Sequence, residues 1–205
     1  MKQHPISTFD VFSRSCLLFH TRHFERVSAY LLHAYWKEGL LPDIPGEDLD
    51  VLARASTLHD IGKCALSEQI VGSSMELSPL EFEIMKQHTT LGAMMIELAS
   101  PEQISDPVRS YAREIVLYHH ERWDGGGYPA GLRGAEIPAH VQVVSLADVY
   151  DALRTWRPYR SARSHTQTVD QILRGGCGAF DLQLLALFPA LMDKANREIY
   201  GEGAS

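Results

Sequence analysis

The chain has 205 residues, of which 45% are hydrophobic, and its formal net charge is -7. This length and apolar content suffice for one sizeable core, so we expect a single domain over residues 1–205. The acidic balance argues against general binding to DNA. No apolar run approaches the roughly 20 residues of a membrane span, and the N-terminus lacks the apolar centre of a signal peptide, so we expect a cytoplasmic protein without a membrane contact.

Apolar residues recur at helical spacing along almost the whole chain, which predicts an all-α protein. The first helix is predicted over residues 9–36, where apolar side chains share one stripe. A second helix is predicted to end near the sequence HDIGK at residues 59–63. The sequence SPLE at residues 78–81 predicts a third helix start, with Ser as the cap and Pro in the first turn. This third helix is expected to contain His88.

The second half of the chain continues the helical pattern. Asp106-Pro107 predicts the start of a fourth helix, which ends at His119-His120. Pro138 opens a fifth helix, and the glycines of residues 175–178 separate a short helix from a last one capped by Asp181. The sequence therefore predicts a bundle of about seven helices.

Histidine and aspartate residues recur on these predicted helices. Helices of a bundle can deliver ligands to one point when each contributes a histidine or a carboxylate from its inner face. Mixed imidazole and carboxylate ligands suit Fe, Mn or Zn, and this set is larger than one ion uses. We therefore predict two divalent metal ions in the core, Fe or Mn in preference to Zn. The candidate ligands are His59, Asp60, His88, His119, His120 and Asp148.

The predicted chemistry follows from a pair of ions. A water or hydroxide between two metal ions, which Asp60 could bridge, becomes a nucleophile at neutral pH, and the ions stabilise both oxygens of an in-line displacement at phosphorus. The predicted reaction is therefore phosphodiester hydrolysis. Taken singly, each histidine has a structural explanation, and His23 in the first helix fits a hydrogen-bonded residue as well as a ligand. Glu121 is expected to be a solvated charge. Because a core rarely holds so many ionisable groups without metal or partners, the joint pattern favours metal.

Five short motifs carry a family resemblance: HDIGK at 59–63, MKQH at 85–88, HHERWDGGGYPAGLRGAEIP at 119–138, LADVYDAL at 146–153 and RPYR at 157–160. Together they resemble the HD-GYP domain, a branch of the HD phosphohydrolase superfamily. The resemblance covers roughly residues 20–190, with short extensions at both ends, and the combination is far more specific than the HD pair alone. It implies a helical HD-domain fold and a bacterial phosphodiesterase that opens cyclic di-GMP to linear pGpG, with a further step to GMP left open.

The resemblance also implies roles for residues at matching positions. Asp60 and Lys63 would be catalytic, with Asp60 as a bridging ligand and Lys63 meeting phosphate oxygens beside the leaving group. The implied metal ligands are the six candidates above, and His23 is a further candidate. Substrate contacts are expected from Lys63, Asp151, Arg157 and Arg160. Arginine can hold a phosphate through two parallel hydrogen bonds.

The motif GYP marks a loop with two expected roles. Its glycines permit backbone angles that bring the loop back over the ions, and Asp124 and Tyr128 are expected to fix it by hydrogen bonds. In the family this loop is also regarded as a protein-contact surface. Expected partners are therefore cyclic di-GMP or a related cyclic dinucleotide, and a diguanylate cyclase or other signalling protein; a purely structural turn is the alternative. The loop residues are Asp124, Gly127, Tyr128 and Pro129.

Two departures from the family pattern bear on the function. Members proposed to hold three metals have a Glu where this chain has Phe19, so we predict two ions unless His20 substitutes. Segment 64–77 lacks a Lys and a Pro that are expected beside the pocket. The alternatives are an altered dinucleotide preference, or a catalytically silent sensor or interaction module that binds a diguanylate cyclase through the GYP loop. A phosphohydrolase of mononucleotides is a third reading, against which the GYP and RPYR motifs speak.

Overall fold

The computed structural model of the chain describes residues 22–155 and 161–201. Within these ranges the chain is helical and contains no β-strand, so the predicted all-α fold is confirmed. None of the described helices combines the length and apolar character needed to cross a membrane. The α-helices are α1 (Arg22–Lys37), α2 (Leu49–Ser56), α3 (Glu68–Val71), α4 (Pro79–Lys86), α5 (His88–Leu98), α6 (Asp106–Tyr118), α7 (Ala139–Arg154), α8 (His165–Leu173) and α9 (Leu182–Ala195).

Short helical turns join or extend these elements. Three are 3-10 helices, at Gly46–Asp48, Ile61–Ala65 and Gly134–Glu136, and a π-helical turn at Asn196–Tyr200 follows α9. The predicted helix starts are confirmed at residues 78–81, where Ser78 and Glu81 form a capping box, and at Asp181, whose carboxylate accepts the N–H of Gln183.

The predicted third helix is two helices, α4 and α5, which meet at Gln87. The dihedral angles of Gln87 stay helical, with φ -65° and ψ -15°, and its N–H bonds to Ile84 three residues earlier. No glycine or proline marks this break, so the helical pattern in the sequence runs through it. His88 consequently opens α5 instead of lying within a longer helix, and the bundle has more helical segments than the seven predicted.

The core is built around α1 and α7, which pack against each other, and the other helices add buried apolar side chains to it. Helix α1 buries Phe24, Val27, Leu31 and Tyr35, each 1% exposed or less, as the predicted stripe requires. Helix α7 is buried at every residue from 140 to 147, so it is surrounded by the other helices. Polar residues that follow on α7 are therefore held close to neighbouring helices.

Two glycines allow the turn after Asp60 to approach α5. A Cβ atom on Gly62 would lie 1.9 Å from the carbonyl oxygen of His88 and 2.5 Å from the nitrogen of Gly92. A Cβ on Gly92 would lie 2.6 Å from a methyl of Val116 and 3.0 Å from the nitrogen of Gly62. Backbone atoms cannot move aside as a flexible side chain can, so the close approach needs glycine on both sides. This contact places Asp60 beside His88.

Replacing Gly62 with alanine is expected to destabilise the fold by about 2–3 kcal/mol, because the added methyl forces the turn away from α5. Chemical denaturation measures this change in the free energy of unfolding. Gly72→Ala is the matched control, since its Cβ would meet one atom, at 3.0 Å, in an exposed position. Equal unfolding midpoints for the two variants would contradict the prediction.

Candidate metal centre

A cluster of histidine and aspartate side chains lies where the end of α2, the start of α5, the end of α6 and the middle of α7 converge. Four residues, Asp60, His88, His119 and His120, each offer one ligand atom, and these atoms all lie within 4.8 Å of one another. His59 and Asp148 adjoin them. The Nε2 atom of His59 is 3.6 Å from Oδ2 of Asp60 and 3.5 Å from Oδ1 of Asp148. All the candidate ligands except His23 therefore lie in or beside this cluster.

Backbone carbonyls fix the orientation of three of the imidazoles. The Nδ1 of His59 lies 2.9 Å from the carbonyl oxygen of Ser56, and that of His88 lies 2.7 Å from the carbonyl oxygen of Met85. Nδ1 of His119 contacts carbonyls of the preceding helical turn at 3.0 and 3.1 Å. A carbonyl can only accept a hydrogen bond, so Nδ1 carries a proton, and in the neutral imidazole Nε2 then keeps its lone pair. The Nε2 atoms that face the cluster are thus prepared as metal ligands.

Asp60 occupies the centre of the cluster, and its two oxygens face different groups. Oδ1 lies 3.4 Å from Nε2 of His88 and 3.9 Å from Nε2 of His119, whereas Oδ2 lies 2.5 Å from Nζ of Lys63 and 3.6 Å from Nε2 of His59. Among the described residues, none donates a hydrogen bond to the buried Oδ1. The Nε2 atoms of His88 and His119 are also only 3.4 Å apart. Lone pairs and a carboxylate held this close, away from water, favour a cation between them, and the donor set fits a divalent metal.

Burial and charge set the protonation of the cluster. Burial lowers the pKa of His88, His119 and His120, to about 4 for His120, and neighbouring imidazoles add to the effect at His119. Burial alone would raise the pKa of Asp60, but Lys63 and the imidazoles outweigh it and hold that pKa well below its ordinary value. The pKa of Asp148 is lowered in the same way, through His59. Burial alone would lower the pKa of His59, but Asp60 and Asp148 outweigh it and raise that pKa. Neutral imidazoles and charged carboxylates are the forms that bind metal, so a metal ion at His59 would replace a proton.

The GYP loop covers one side of the cluster through Tyr128. The ring of Tyr128 stacks on that of His120, with centroids 4.8 Å apart, and the Tyr128 N–H donates to the His120 carbonyl at 3.3 Å. The loop returns so tightly that a Cβ on Gly127 would lie 2.4 Å from Cα of Glu121. Asp124 stabilises the turn itself by accepting the N–H of Gly126 at 2.9 Å.

The expectation that Glu121 is a solvated charge is wrong. Its side chain is buried, and one carboxylate oxygen accepts the N–H groups of Ala130 and Gly131 at 2.6 and 3.1 Å. The other oxygen accepts the N–H of Leu132 at 3.1 Å. Glu121 therefore ties down the chain that leaves the GYP loop. The sequence carries one signal for this role. Residues 130–132 lie between the predicted helices, so their N–H groups need hydrogen-bond acceptors elsewhere.

The remaining candidate residues lie beside the cluster or outside the described ranges. His23 is exposed, and its ring lies against that of Tyr200 with centroids 4.6 Å apart. Asp151, one helical turn after Asp148 on α7, accepts the hydroxyl of Tyr200 at 3.3 Å. The residues outside the described ranges are Phe19, His20, Arg157 and Arg160.

Comparisons with known proteins show what this chain is similar to. The family model described as "HD domain" matches residues 19–184. A Vibrio cholerae serotype O1 protein named "Probable cyclic di-GMP phosphodiesterase" is 36% identical over 176 residues, which are 83% of this chain and 38% of that protein. A Thermotoga maritima protein named "Cyclic di-GMP phosphodiesterase" is 39% identical over 145 residues, which are 69% of this chain and 36% of that protein.

Among solved structures, the fold is similar to that of Bd1817, an HDG"Y"P protein from Bdellovibrio bacteriovorus. The TM-score is 0.60 at 20% identity, and the match covers 83% of this chain and 51% of that chain. The chain spans 36 to 38% of the length of the two curated relatives described above. The chain is therefore a member of the HD-domain family, in the HD-GYP branch that its motifs predicted.

Proposed function

We propose that the chain is a metal-dependent phosphodiesterase that hydrolyses cyclic di-GMP to linear pGpG. The observation that carries the proposal is the convergence of Nε2 lone pairs and a buried Asp60 oxygen on one point. The names of the relatives from Vibrio cholerae and Thermotoga maritima support cyclic di-GMP as the substrate. The product detected in the assay, pGpG or GMP, shows whether a second hydrolysis step occurs.

The division of contacts around Asp60 supports two divalent ions with this carboxylate as the bridge. Oδ2 faces His59, which in turn contacts Asp148, whereas Oδ1 faces His88 and His119. We propose that the two ions are Fe or Mn in preference to Zn. Their ligands would be His59, Asp60, His88, His119, His120 and Asp148. When bound, such ions supply a nucleophilic water at neutral pH and offset the charge of a phosphate.

Lys63 would balance charge during the reaction from the edge of the centre. Its ammonium group contacts Asp60, and its side chain is 21% exposed, so it can reach a phosphate oxygen that enters from solvent. A cation at this position stabilises negative charge on the leaving 3'-oxygen. Tyr128 excludes water from the far side of His120 by stacking on its ring. We assign the nucleotide contacts to Asp151, Arg157 and Arg160.

The proposal also includes a protein contact at the GYP loop. Pro129 and Ala130 are exposed there, next to the loop segment that Glu121 holds. A rigid, exposed turn is a suitable contact for a diguanylate cyclase or other signalling protein. Loss of cyclase binding in a Pro129→Ala variant that keeps its metal would support this contact.

Metal analysis of anaerobically purified protein, combined with a product assay on cyclic di-GMP, tests the main proposal. We expect two metal equivalents and formation of pGpG, with both lost after treatment with a chelator. Cyclic GMP-AMP in parallel reactions measures the preference between dinucleotides. Two metal equivalents and bound cyclic di-GMP without any product would contradict the proposal and favour the silent sensor.

A further inference from the structure

The π-helical turn Asn196–Tyr200 flanks the candidate metal centre. It follows α9 and is held against α1, because the guanidinium of Arg26 donates to the carbonyls of Glu198 and Ile199 at 3.1 and 3.2 Å. This turn lies after residues 19–184, which the HD-domain family model matches. Single π-helical turns occur frequently at functional sites. The turn therefore lies beside the candidate centre and outside the residues that the family model matches.

Tyr200 brings together three charged or polar side chains from α1 and α7. Its ring lies against the ring of His23, with centroids 4.6 Å apart and planes inclined by 30°. Its hydroxyl donates to Oδ1 of Asp151 at 3.3 Å. The guanidinium carbon of Arg154 lies 4.8 Å from the centroid of the Tyr200 ring, which is a cation–π contact. Tyr200 therefore contacts two residues that the family resemblance associates with the site, His23 and Asp151.

These contacts lie at the side of the metal centre. Asp151 and Asp148 are three residues apart on α7 and so project from the same face of that helix. On α1, the residue after His23 is Phe24, whose ring centroid is 4.5 Å from that of His59. Tyr200 thus spans from α1 to α7, one helical turn along α7 from Asp148.

We propose that Tyr200 is a positioning residue for the cyclic dinucleotide and that residues 196–200 form one wall of its binding site. The Tyr200 hydroxyl holds the carboxylate of Asp151, which can accept N–H groups from a guanine edge. Its ring contacts Arg154, whose guanidinium also donates to the carbonyl of Arg163 at 3.1 Å and to Oδ1 of Asn196 at 3.2 Å, and a guanidinium group can bind phosphate. Fixing both side chains before the nucleotide arrives lowers the cost of ordering them on binding. This inference rests on the proposed function.

The test compares Tyr200→Phe with Tyr111→Phe. Both changes delete one tyrosine hydroxyl that donates to an aspartate, because Tyr111 donates to Asp48 at 2.7 Å outside the metal centre. We expect Tyr200→Phe to raise KM for cyclic di-GMP about tenfold, the effect of one hydrogen bond to a charged group, while kcat and the metal content stay unchanged. Tyr111→Phe is expected to leave KM unchanged.

An unchanged KM in Tyr200→Phe would overturn the inference, and so would equal losses of activity in both variants, since these indicate a purely structural role. If the wild-type protein forms no product, the proposed function fails, and titration calorimetry with cyclic di-GMP decides the inference instead. A tenfold weaker Kd in Tyr200→Phe would then support it. Equal Kd values, or no binding by the wild-type protein, would overturn it.

Discussion

Asp60→Asn is expected to abolish two-metal binding and to lower the rate of cyclic di-GMP hydrolysis by at least about 100-fold, because changes one step removed from a metal already cost 10–100-fold. The amide keeps the shape of the carboxylate but cannot supply a negative charge to ions on both sides. In the native protein, Oδ1 of Asp60 faces His88 and His119, and Oδ2 faces His59. Each ion would therefore lose its shared anionic ligand.

Metal content by elemental analysis and initial rates at saturating metal measure this effect. Asp50→Asn is the matched control, because the Asp50 side chain is 92% exposed and its contact to His33 is 3.6 Å long. The control is expected to retain both metal equivalents and full activity, since surface changes of this kind have small effects. An Asp60→Asn protein with two ions and native turnover would exclude a bridging role for this residue.

The helical pattern in the sequence was sufficient to predict that several of the candidate ligands lie close together. The apolar face of α6 buries Val108, Ala112, Ile115 and Val116. His119 follows Ile115 by four residues, so the helical repeat that buries Ile115 also directs His119 inward. Its neighbour His120 follows the helix in a turn, and it both belongs to the cluster and stacks on Tyr128 of the GYP loop. Both adjacent histidines therefore reach the cluster because the helix ends at Tyr118, just before them, and the backbone turns.

Contacts that depend on distant segments could not be predicted from the same pattern. Gln87 keeps helical backbone angles, so nothing local in the sequence shows that α4 ends and α5 begins there. Tyr200 meets Asp151 across 49 residues of chain, and Arg26 meets Ile199 across 173. Such pairings depend on how whole helices pack, which neither propensity nor periodicity encodes.

The burial of Glu121 was not predicted either, because a charged residue in a polar sequence is usually solvated. Its burial follows from the loop that returns over it and offers three N–H groups in succession. A carboxylate suits this geometry, since its two oxygens accept several bonds and carry no donor. The charge is thus part of the loop structure.

Glu121→Gln is expected to destabilise the protein by about 3–4 kcal/mol, since hydrogen bonds to a buried charge contribute about 1.5–3 kcal/mol each and the new amide group turns its own N–H groups toward a donor. The segment at residues 130–132 should open, and its amide hydrogens should exchange on the order of 100 times faster. Tyr128 would then lose its support against His120, so turnover should fall as well.

Hydrogen exchange followed by mass spectrometry and chemical denaturation measure both effects. Glu136→Gln is a close control, because the Glu136 carboxylate also accepts a loop N–H, that of Arg133 at 2.8 Å, but does so in an exposed turn. Water can replace that bond, so the control should change stability by no more than about 0.5 kcal/mol. Equal effects of the two substitutions would mean that burial does not strengthen the hydrogen bonds of Glu121. The glycine turn and the stacking of Tyr128 on His120 would then be what holds the GYP loop.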